Sequence, residues 1–303
     1  MFPVRKRCAL YTVIYPQMSP FLGAWYQSVE RQTDQNFDLC ISLDGLAPED
    51  VARQLGHTPR ATWLANHSAS TPGQIRFAGI RQLLEDYDEI LFVDSDDVLH
   101  PTRVEAARRS LRNSDVNGCG LQIMNERGSD LGLVFGLPAE ETIDSVLPRW
   151  NVFGLSNTSY RVETLRACLP IPSECELVDW WLITRAWMMR AKLEFDPTPR
   201  MWYRQYGRNT AKVLPPFAPE EISRATQRVR THYHLLTQAQ PKTGGARWER
   251  VLAEQARVAA FQRNICEQPH RLALYADALN RLPVHFVWWW AVAHPMVEQL
   301  WKS

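Results

Sequence analysis

The chain has 303 residues, of which 45% are hydrophobic, so it can bury a full core and is not an intrinsically disordered protein. Basic and acidic residues nearly balance at 34 and 33, which argues against a nucleic-acid-binding surface and makes small molecules the expected partners. The six cysteines form neither a C-x-x-C pair nor a zinc-ligand spacing, and no signal peptide is indicated, so a cytoplasmic protein is expected.

The beginning of the chain predicts alternating strands and helices. A strand over 8–15 is followed by helical spacing over 21–31 and a second strand over 36–43. This β-α-β succession is the unit of a parallel sheet. Asp44 comes directly after the second strand, so its carboxylate is expected at the carboxyl edge of that sheet, although Asp44-Gly45 is also ordinary turn chemistry.

A polar loop then leads into a helix. After a short helix over 48–55 and a strand over 61–65, residues 66–73 form a breaker-rich loop before a helix over 74–84. The main-chain N–H groups of such a loop can bind phosphate. Arg76 in the first helical turn would add a forked cation, whereas the more common role of an arginine at this position is a solvated one.

The chain is organised around an apolar strand that ends in three carboxylates. Ile90–Val93 shows no alternation and predicts a strand buried on both faces, followed by Asp94, Asp96 and Asp97. Ligands bind at the carboxyl ends of such strands, and a divalent cation completed by substrate phosphates would relieve the repulsion among the acids. The alternative is that Asp97 caps a helix near Pro101, which explains one aspartate and leaves two unexplained.

The middle of the chain contains a region without assigned chemistry and a further acid. Residues 119–150 include two short strand patterns and are either a variable loop region facing an acceptor or a plain surface insertion. Asp179 opens a helix that runs to about 192, where it is either a functional carboxylate or an acid that interacts with the helix dipole. A strand and polar loop over 201–210 then end the predicted domain.

The composition changes near 213, which predicts domains at 1–212 and 213–303. Helices are expected over 219–240 and 246–267. The tail over 284–303 carries an apolar run at 286–293 that is too short to cross a bilayer. A tryptophan-rich helix there would suit the inner face of a membrane, and the alternatives are packing onto the rest of the chain or the contact surface of a homodimer.

Four motifs occur in a fixed order and together resemble glycosyltransferase family 2. The most specific is an Asp-Trp-Trp-Leu segment followed by a Tyr-Arg-Gln-Tyr-Gly-Arg-Asn segment, which is similar to a pair in the rhamnosyltransferase-like branch of that family. The resemblance covers about residues 8 to 212. Its motifs are 32–38 with 42–45, 66–80, the DxD-like 92–97, and 178–182 with 202–209.

The resemblance implies the GT-A fold, an α/β architecture with a Rossmann-like, mostly parallel sheet flanked by helices, here followed by a C-terminal helical appendage. It also implies a UDP-, dTDP- or GDP-sugar donor, Mg²⁺ or Mn²⁺, and a glycan or lipid-linked acceptor. The roles carried over are Asp44 at the base or ribose, Arg76 and Arg204 near the nucleotide or diphosphate, Asp94 near the ribose and metal, Asp96 as metal ligand, and Asp179 as catalytic base.

Three positions depart from the family pattern. Phe77 replaces an asparagine, Val178 replaces a glutamate before the base, and Tyr206 stands where a histidine often completes the metal shell. Because tyrosine has a pKa of about 10, it is a poor magnesium ligand at neutral pH. The metal shell is therefore expected to depend on Asp96, the diphosphate and water.

The implied reaction is an inverting, metal-assisted sugar transfer in surface polysaccharide or glycan assembly. The metal would neutralise the leaving diphosphate, and a carboxylate would take the proton of the attacking hydroxyl. Two alternatives stay open. One is a nucleotidyltransferase, against which no glycine- and lysine-rich triphosphate loop is found. The other is a non-catalytic α/β domain whose acids are caps and whose tryptophans bind a partner.

Overall fold

The structure is a computed structural model that describes residues 7–65, 71–207, 209–239, 245–283 and 288–302. The chain divides into two compact units. The first comprises Met1–Gly136, Phe153–Glu174 and Val178–Arg204, and the second comprises Leu137–Val152, Cys175–Leu177 and Gln205–Ser303. Contacts thus join 137–152 to the C-terminal part of the chain, which the sequence did not indicate. The division into a transferase domain at 1–212 and a helical region at 213–303 stays a prediction.

The described strands form a single mixed sheet in the order β3-β2-β1-β4-β8-β6-β9-β5, with β7 paired to β6. The block β3-β2-β1-β4 is parallel. The pairs β4–β8, β6–β8, β6–β7 and β5–β9 are antiparallel. The strands are β1 (Cys8–Ile14), β2 (Asp38–Leu43), β3 (Thr62–Leu64), β4 (Glu89–Phe92), β5 (Val98–Leu99), β6 (Val116–Asn125), β7 (Asp130–Phe135), β8 (Thr158–Arg161) and β9 (Leu193–Gln205).

Helices account for most of the rest of the described chain. The α-helices are α1 (Leu22–Glu30), α2 (Pro48–Leu55), α3 (Pro72–Leu83), α4 (Arg103–Ser110), α5 (Ile143–Val146), α6 (Val162–Ala167), α7 (Val178–Met188), α8 (Pro219–Gln238), α9 (Ala246–Phe261) and α10 (Pro269–Asn280). A π-helical turn at Gln262–Cys266 and 3₁₀ segments at Pro16–Met18 and Pro295–Leu300 complete them. No helix in the described part of the chain is long and apolar enough to cross a membrane.

The parallel block confirms the predicted α/β class, because it follows the expected β-α-β succession. Every residue of β4 is buried, as the absence of alternation over 90–93 predicted, and every residue of β1 is buried as well. Helix α3 begins at Pro72, two residues before the predicted start at 74. Thr71 caps the helix by accepting from the N–H of Gln74, Gln74 accepts in return from Thr71, and Pro72 occupies the first turn.

Helix α3 packs unusually close to the sheet at Gly79. A Cβ added at this position would collide with the hydroxyl of Tyr11 on β1 and the Oγ of Ser42 on β2, which are hydrogen-bonded to each other at 3.0 Å. A glycine is therefore required for the close approach of helix and strand. The packing fixes α3, and with it Arg76, against the two strands that lead to the candidate site.

The prediction of a tryptophan-rich helix in the tail is wrong for its described residues. Trp288 forms an isolated β-bridge with Asn151, residues 289–293 form turns, and the only helical part is the 3₁₀ segment Pro295–Leu300. Trp288 and Trp289 are also buried. The premise that a helical run must leave tryptophan rings uncovered therefore fails here, and Phe286 and Val287 lie outside the described residues.

The tail is instead fastened to the helices of the second unit. The hydroxyl of Tyr275 in α10 donates to the carbonyl of Ala291 (2.9 Å), and Arg257 in α9 donates to the carbonyl of Ala293 (2.6 Å). Trp301 is 1% exposed and packs edge-on against Phe261 with ring centroids 6.0 Å apart. These contacts make the described tail part of the core of the second unit.

We therefore predict that deleting residues 284–303 destabilises the second unit. Loss of the buried Trp301 ring alone should cost about 3–5 kcal/mol, which a thermal unfolding scan with a helix-sensitive signal would detect as a lower midpoint. Met296→Ala is the control, because Met296 lies in the same segment with 53% of its surface exposed, and it should leave the midpoint nearly unchanged. A deletion of the whole tail that unfolds at the wild-type temperature would contradict the assignment.

Candidate active site

The carboxyl ends of three parallel strands bring Asp44 and Asp94 to one edge of the sheet. Strand β1 lies between β2 and β4, with Ile14 opposite Leu43 and Tyr11 opposite Phe92. Asp44 extends the pairing of β2, because its N–H donates to the carbonyl of Ile14 at 2.9 Å. Since neighbouring strands are about 4.8 Å apart, two strand spacings separate the ends of β2 and β4 by about 10 Å.

The loop after β4 is tied down at successive residues. The hydroxyl of Ser95 donates to the carbonyl of Val13 in β1 at 2.9 Å. The N–H of Asp94 donates at 2.9 Å to the Oγ of Ser156, which lies just before β8. These bonds join the loop to β1 on one side and to the residues before β8 on the other. They hold the main chain that carries the three aspartates in place.

Asp97 is a structural acid. Its residue is 1% exposed; one carboxylate oxygen accepts from the hydroxyl of Ser156, and the other accepts from the N–H of Arg204 at 2.8 Å. Burial raises the pKa of this carboxyl group well above its usual value, and the nearby charges of Asp96 and Asp94 raise it further. Both of its oxygens are thus used inside the protein.

The suggestion that Asp97 caps a helix near Pro101 is therefore wrong. Helix α4 begins at Arg103 and its N-cap residue is Thr102. The carboxylate of Asp97 is instead bonded to Ser156 and Arg204, which lie far along the chain. An Asp-x-x-x-Pro pattern cannot reveal such partners, because they meet only in the folded sheet.

Arg204 binds the main chain of the aspartate loop. It is 4% exposed, and its guanidinium donates to the carbonyls of Asp96 (Nε, 2.7 Å) and Glu126 (Nη1, 2.8 Å) while lying 4.7 Å over the ring of Phe21. Several of its donors are thus used to hold the main chain of Asp96 and the turn between β6 and β7. The predicted contact of Arg204 with a nucleotide or diphosphate stays a prediction.

Arg76 reaches the site from the first turns of α3. Its Nη2 lies 3.5 Å from a carboxylate oxygen of Asp94, and both side chains are partly exposed at 20% and 36%. Arg76 therefore approaches the aspartate loop across the polar edge rather than pointing away into solvent. A guanidinium beside a carboxylate at a strand end leaves donors for a second anionic group.

Asp179 lies in the first turn of α7. Burial raises its pKa to about 6; the N–H of Trp180 lowers it, the charge of Asp94 raises it, and the charge of Arg76 lowers it. The charges of Asp94 and Arg76 therefore both act on the Asp179 carboxyl group. The helix that carries it is anchored by the indole N–H of Trp181, which donates to the carbonyl of Cys168 at 3.2 Å.

Some of the predicted site residues are thus linked by contacts or charge effects, and others are not. Arg76 and Asp94 form an ion pair whose charges act on Asp179, and Asp96 follows Asp94 in the tied loop. In the described part of the chain, no hydrogen bond joins the Asp44 carboxylate to these residues. Tyr206 belongs to the second unit, where its N–H donates to Asn209 at 2.6 Å. Residues 66–70 and Arg208 of the quoted motifs lie outside the described residues.

Ser156 is the residue that the sequence did not reveal. Its hydroxyl accepts from the N–H of Asp94 and donates to Asp97, so one side chain joins both ends of the aspartate loop. It belongs to a buried polar run, Ser156-Asn157-Thr158-Ser159, that precedes and enters β8. Four consecutive polar residues entering a buried strand were the one available signal, since buried polar groups need partners.

No protein-family model and no curated protein matches the chain. Its fold is similar to that of the mannosyltransferase PcManGT from Pyrobaculum calidifontis, solved with GDP-Man and Mn²⁺: TM-score 0.59, 12% identity, 92% of this chain and 74% of that one. TarS 1–349 from S. aureus with UDP-GlcNAc gives a TM-score of 0.58, 15% identity and coverage of 89% and 79%. A longer TarS structure gives a TM-score of 0.54 and 15% identity, and the match covers 89% of this chain and 48% of that one. The chain therefore spans about half of the length of that protein. The expected GT-A fold class is confirmed.

We predict that Ser156→Ala destabilises the first unit by about 1–3 kcal/mol, because it leaves the partly buried N–H of Asp94 and a buried carboxyl oxygen of Asp97 without a partner. Chemical denaturation monitored by tryptophan fluorescence measures the change. Ser173→Ala is the matched control, since Ser173 is exposed and contributes its main-chain carbonyl to Thr71. Equal stability of the two variants would show that Ser156 does not hold the loop.

Proposed function

We propose that the protein is an inverting glycosyltransferase that moves a sugar from a nucleotide-diphosphate donor to a hydroxyl of a glycan or lipid-linked acceptor. The observation that carries the proposal is the Arg76–Asp94 pair, 3.5 Å apart at the carboxyl edge of the parallel strands, whose charges act on Asp179, a carboxyl group of raised pKa. A base, a cation and a strand-end aspartate at one edge are the groups that such a transfer requires.

The division of roles among the aspartates fits a divalent metal. In the described part of the chain, no group of three or more His, Cys, Asp or Glu side chains is arranged to hold a metal ion. Mg²⁺ and Mn²⁺ do not need such a group when substrate phosphates and water complete their shell, and one or two carboxylates suffice. Asp96, with Asp94 beside it, would hold the metal, which when bound supplies charge neutralisation at the leaving diphosphate.

The cations support binding of the donor. Arg76 lies beside Asp94 with its side chain partly open to solvent, so its guanidinium is available to an oxyanion at the edge. Asp44 follows β2 and stands about two strand spacings away, at a distance that suits the nucleoside end of the donor. Arg204 contributes by holding the main chain of Asp96 in place, and we retain a direct contact with the diphosphate as a proposal.

Asp179 acts on the acceptor. An acceptor hydroxyl is a weak nucleophile at neutral pH, and a carboxylate whose pKa is near 6 can remove its proton during attack. Attack from the face opposite the diphosphate inverts the anomeric centre. We further propose membership of glycosyltransferase family 2, in its rhamnosyltransferase-like branch, and a cytoplasmic location. Association with a membrane surface through 284–303 and a homodimer stay predictions.

A panel of UDP-, dTDP- and GDP-sugars, tested for hydrolysis with and without manganese, is the experiment that tests the proposal. We expect slow release of a nucleoside diphosphate from at least one donor, because water can replace the acceptor. Release of pyrophosphate from nucleoside triphosphates would instead indicate a nucleotidyltransferase. No turnover of any donor and no binding of any nucleotide would support a non-catalytic domain.

The raised pKa of Asp179 predicts how the rate depends on pH. The base must be ionised to accept a proton, so kcat/KM for the hydrolysed donor should be constant above the pKa of about 6 and fall tenfold per pH unit below it. Asp179→Asn should lower kcat by orders of magnitude and leave donor binding nearly unchanged. If Asp179 only stabilises its helix, the variant should lose under about 1 kcal/mol of stability and keep its activity.

A further inference from the structure

The first unit contains a cavity of about 650 Å³ that the proposed reaction does not use. Its walls come from α1, from β5, from β9 and from the turn between β6 and β7. Asp94 and Asp179, on which the proposed reaction depends, are not among the residues that line it. A cavity of this volume is large enough for a small molecule.

One part of the cavity wall is apolar and is built from several elements. Phe21, Leu99 and Met124 contribute buried side chains, and Val98 and Trp202 contribute partly exposed ones. A methionine side chain is flexible and adapts to apolar ligands of different shapes. Covering this wall with hydrocarbon would remove apolar surface from water, which favours binding of an apolar group.

The cavity follows the length of α1. Phe21, Ala24, Ser28 and Arg31 line it, and residues three or four positions apart lie on one face of a helix. The ten steps from Phe21 to Arg31, at about 1.5 Å each, correspond to about 15 Å. An elongated cavity of this kind suits an extended chain better than a compact ring.

The charged residues of the cavity favour an anion. Arg31 and Arg127 line it with exposed side chains, and neither forms an ion pair in the described part of the chain. Glu126 is the acidic residue on the wall. Arg204 is a third cation, although it donates to the main chain of Asp96 and Glu126. Available guanidinium groups bind carboxylates and phosphates through charge-assisted hydrogen bonds.

We infer that this cavity is a binding site for an amphipathic anion, a molecule with an extended apolar chain and one carboxylate or phosphate group. The chain would cover the apolar wall, including Met124 and Trp202, and the oxyanion would accept from Arg31 or Arg127. The inference goes beyond the proposed reaction, and binding can be measured without any transfer.

The cavity differs from the proposed donor site in position and in chemistry. Helix α1 connects the parallel strands β1 and β2, so it runs back from the carboxyl edge of the sheet, where Arg76 and Asp94 lie. Arg31 lies at the far end of that helix. Because Trp202 and Arg204 of the cavity also belong to a segment assigned to the donor, the test includes a nucleotide.

The test is nuclear magnetic resonance of the full-length protein with ¹⁵N-labelled tryptophan, titrated with decanoate and with decyl phosphate. Trp202→Phe identifies the indole signal of Trp202 by its absence. We expect that signal to shift with saturable binding of at least one of the two anions, and the tighter one identifies the preferred oxyanion. Decanol, which has the same chain without the charge, should bind at least about tenfold more weakly.

A double variant tests the contacts to the oxyanion. Arg31→Gln combined with Arg127→Gln should weaken binding of either anion at least about tenfold and leave the binding of decanol unchanged. Arg112→Gln is the matched control, because Arg112 is an exposed arginine of the same unit that does not line the cavity. It should bind the anions as the wild-type protein does.

A second variant tests the place of the ligand along α1. Ala24→Glu adds a carboxylate to the cavity wall, so binding of either anion should weaken at least about tenfold. Gly23→Glu is its control, because the same side chain is added one residue along, at an exposed position that does not line the cavity and has no atom within 4 Å of an added Cβ. Thermal unfolding of each variant checks that the fold is intact.

The inference fails if neither anion shifts the Trp202 signal of the wild-type protein. It also fails if the folded double variant and the folded Ala24→Glu protein bind the anions as the wild type does. Decanol that binds as tightly as the anions would overturn the part that concerns the oxyanion. Displacement of the bound anion by UDP with manganese would assign the cavity to the donor instead. The titrations without nucleotide do not depend on the proposed transfer reaction.

Discussion

The buried carboxyl group of Asp97 is the constraint on which the candidate site depends. A buried acid is tolerated only when its oxygens are bonded, and both oxygens of Asp97 are, one to the hydroxyl of Ser156 and one to the N–H of Arg204. The same Ser156 holds the N–H of Asp94, and the same Arg204 holds the carbonyl of Asp96. One buried group thereby orders the whole loop after β4.

That order gives three neighbouring acids different contacts. Asp97 faces the interior, Asp94 faces Arg76 at the open edge, and Asp96 lies between them with its main chain fixed. Across the edge, burial and the charge of Asp94 raise the pKa of Asp179. Acids of the same chemistry thus occupy different surroundings at one edge of the sheet.

The sequence predicted what depends on local pattern and missed what depends on tertiary contacts. The parallel strands followed from the β-α-β succession and from the apolar run at 90–93, and α3 from the breaker-rich loop that precedes it. Ser156 could not be predicted, because its partners are about sixty positions away along the chain. The tail was wrongly predicted as a helix because an apolar run alone cannot distinguish a helix from turns packed against α9 and α10.

The central claim is that Asp96 and its neighbours bind a nucleotide diphosphate through a divalent metal. Calorimetric titration with UDP, dTDP and GDP, in manganese and then in chelator, tests it most directly. The account predicts saturable binding of at least one nucleotide in manganese, its loss in chelator, and its loss in a folded Asp96→Asn variant. Binding that is equal in wild type and variant, with or without the metal, would contradict the claim.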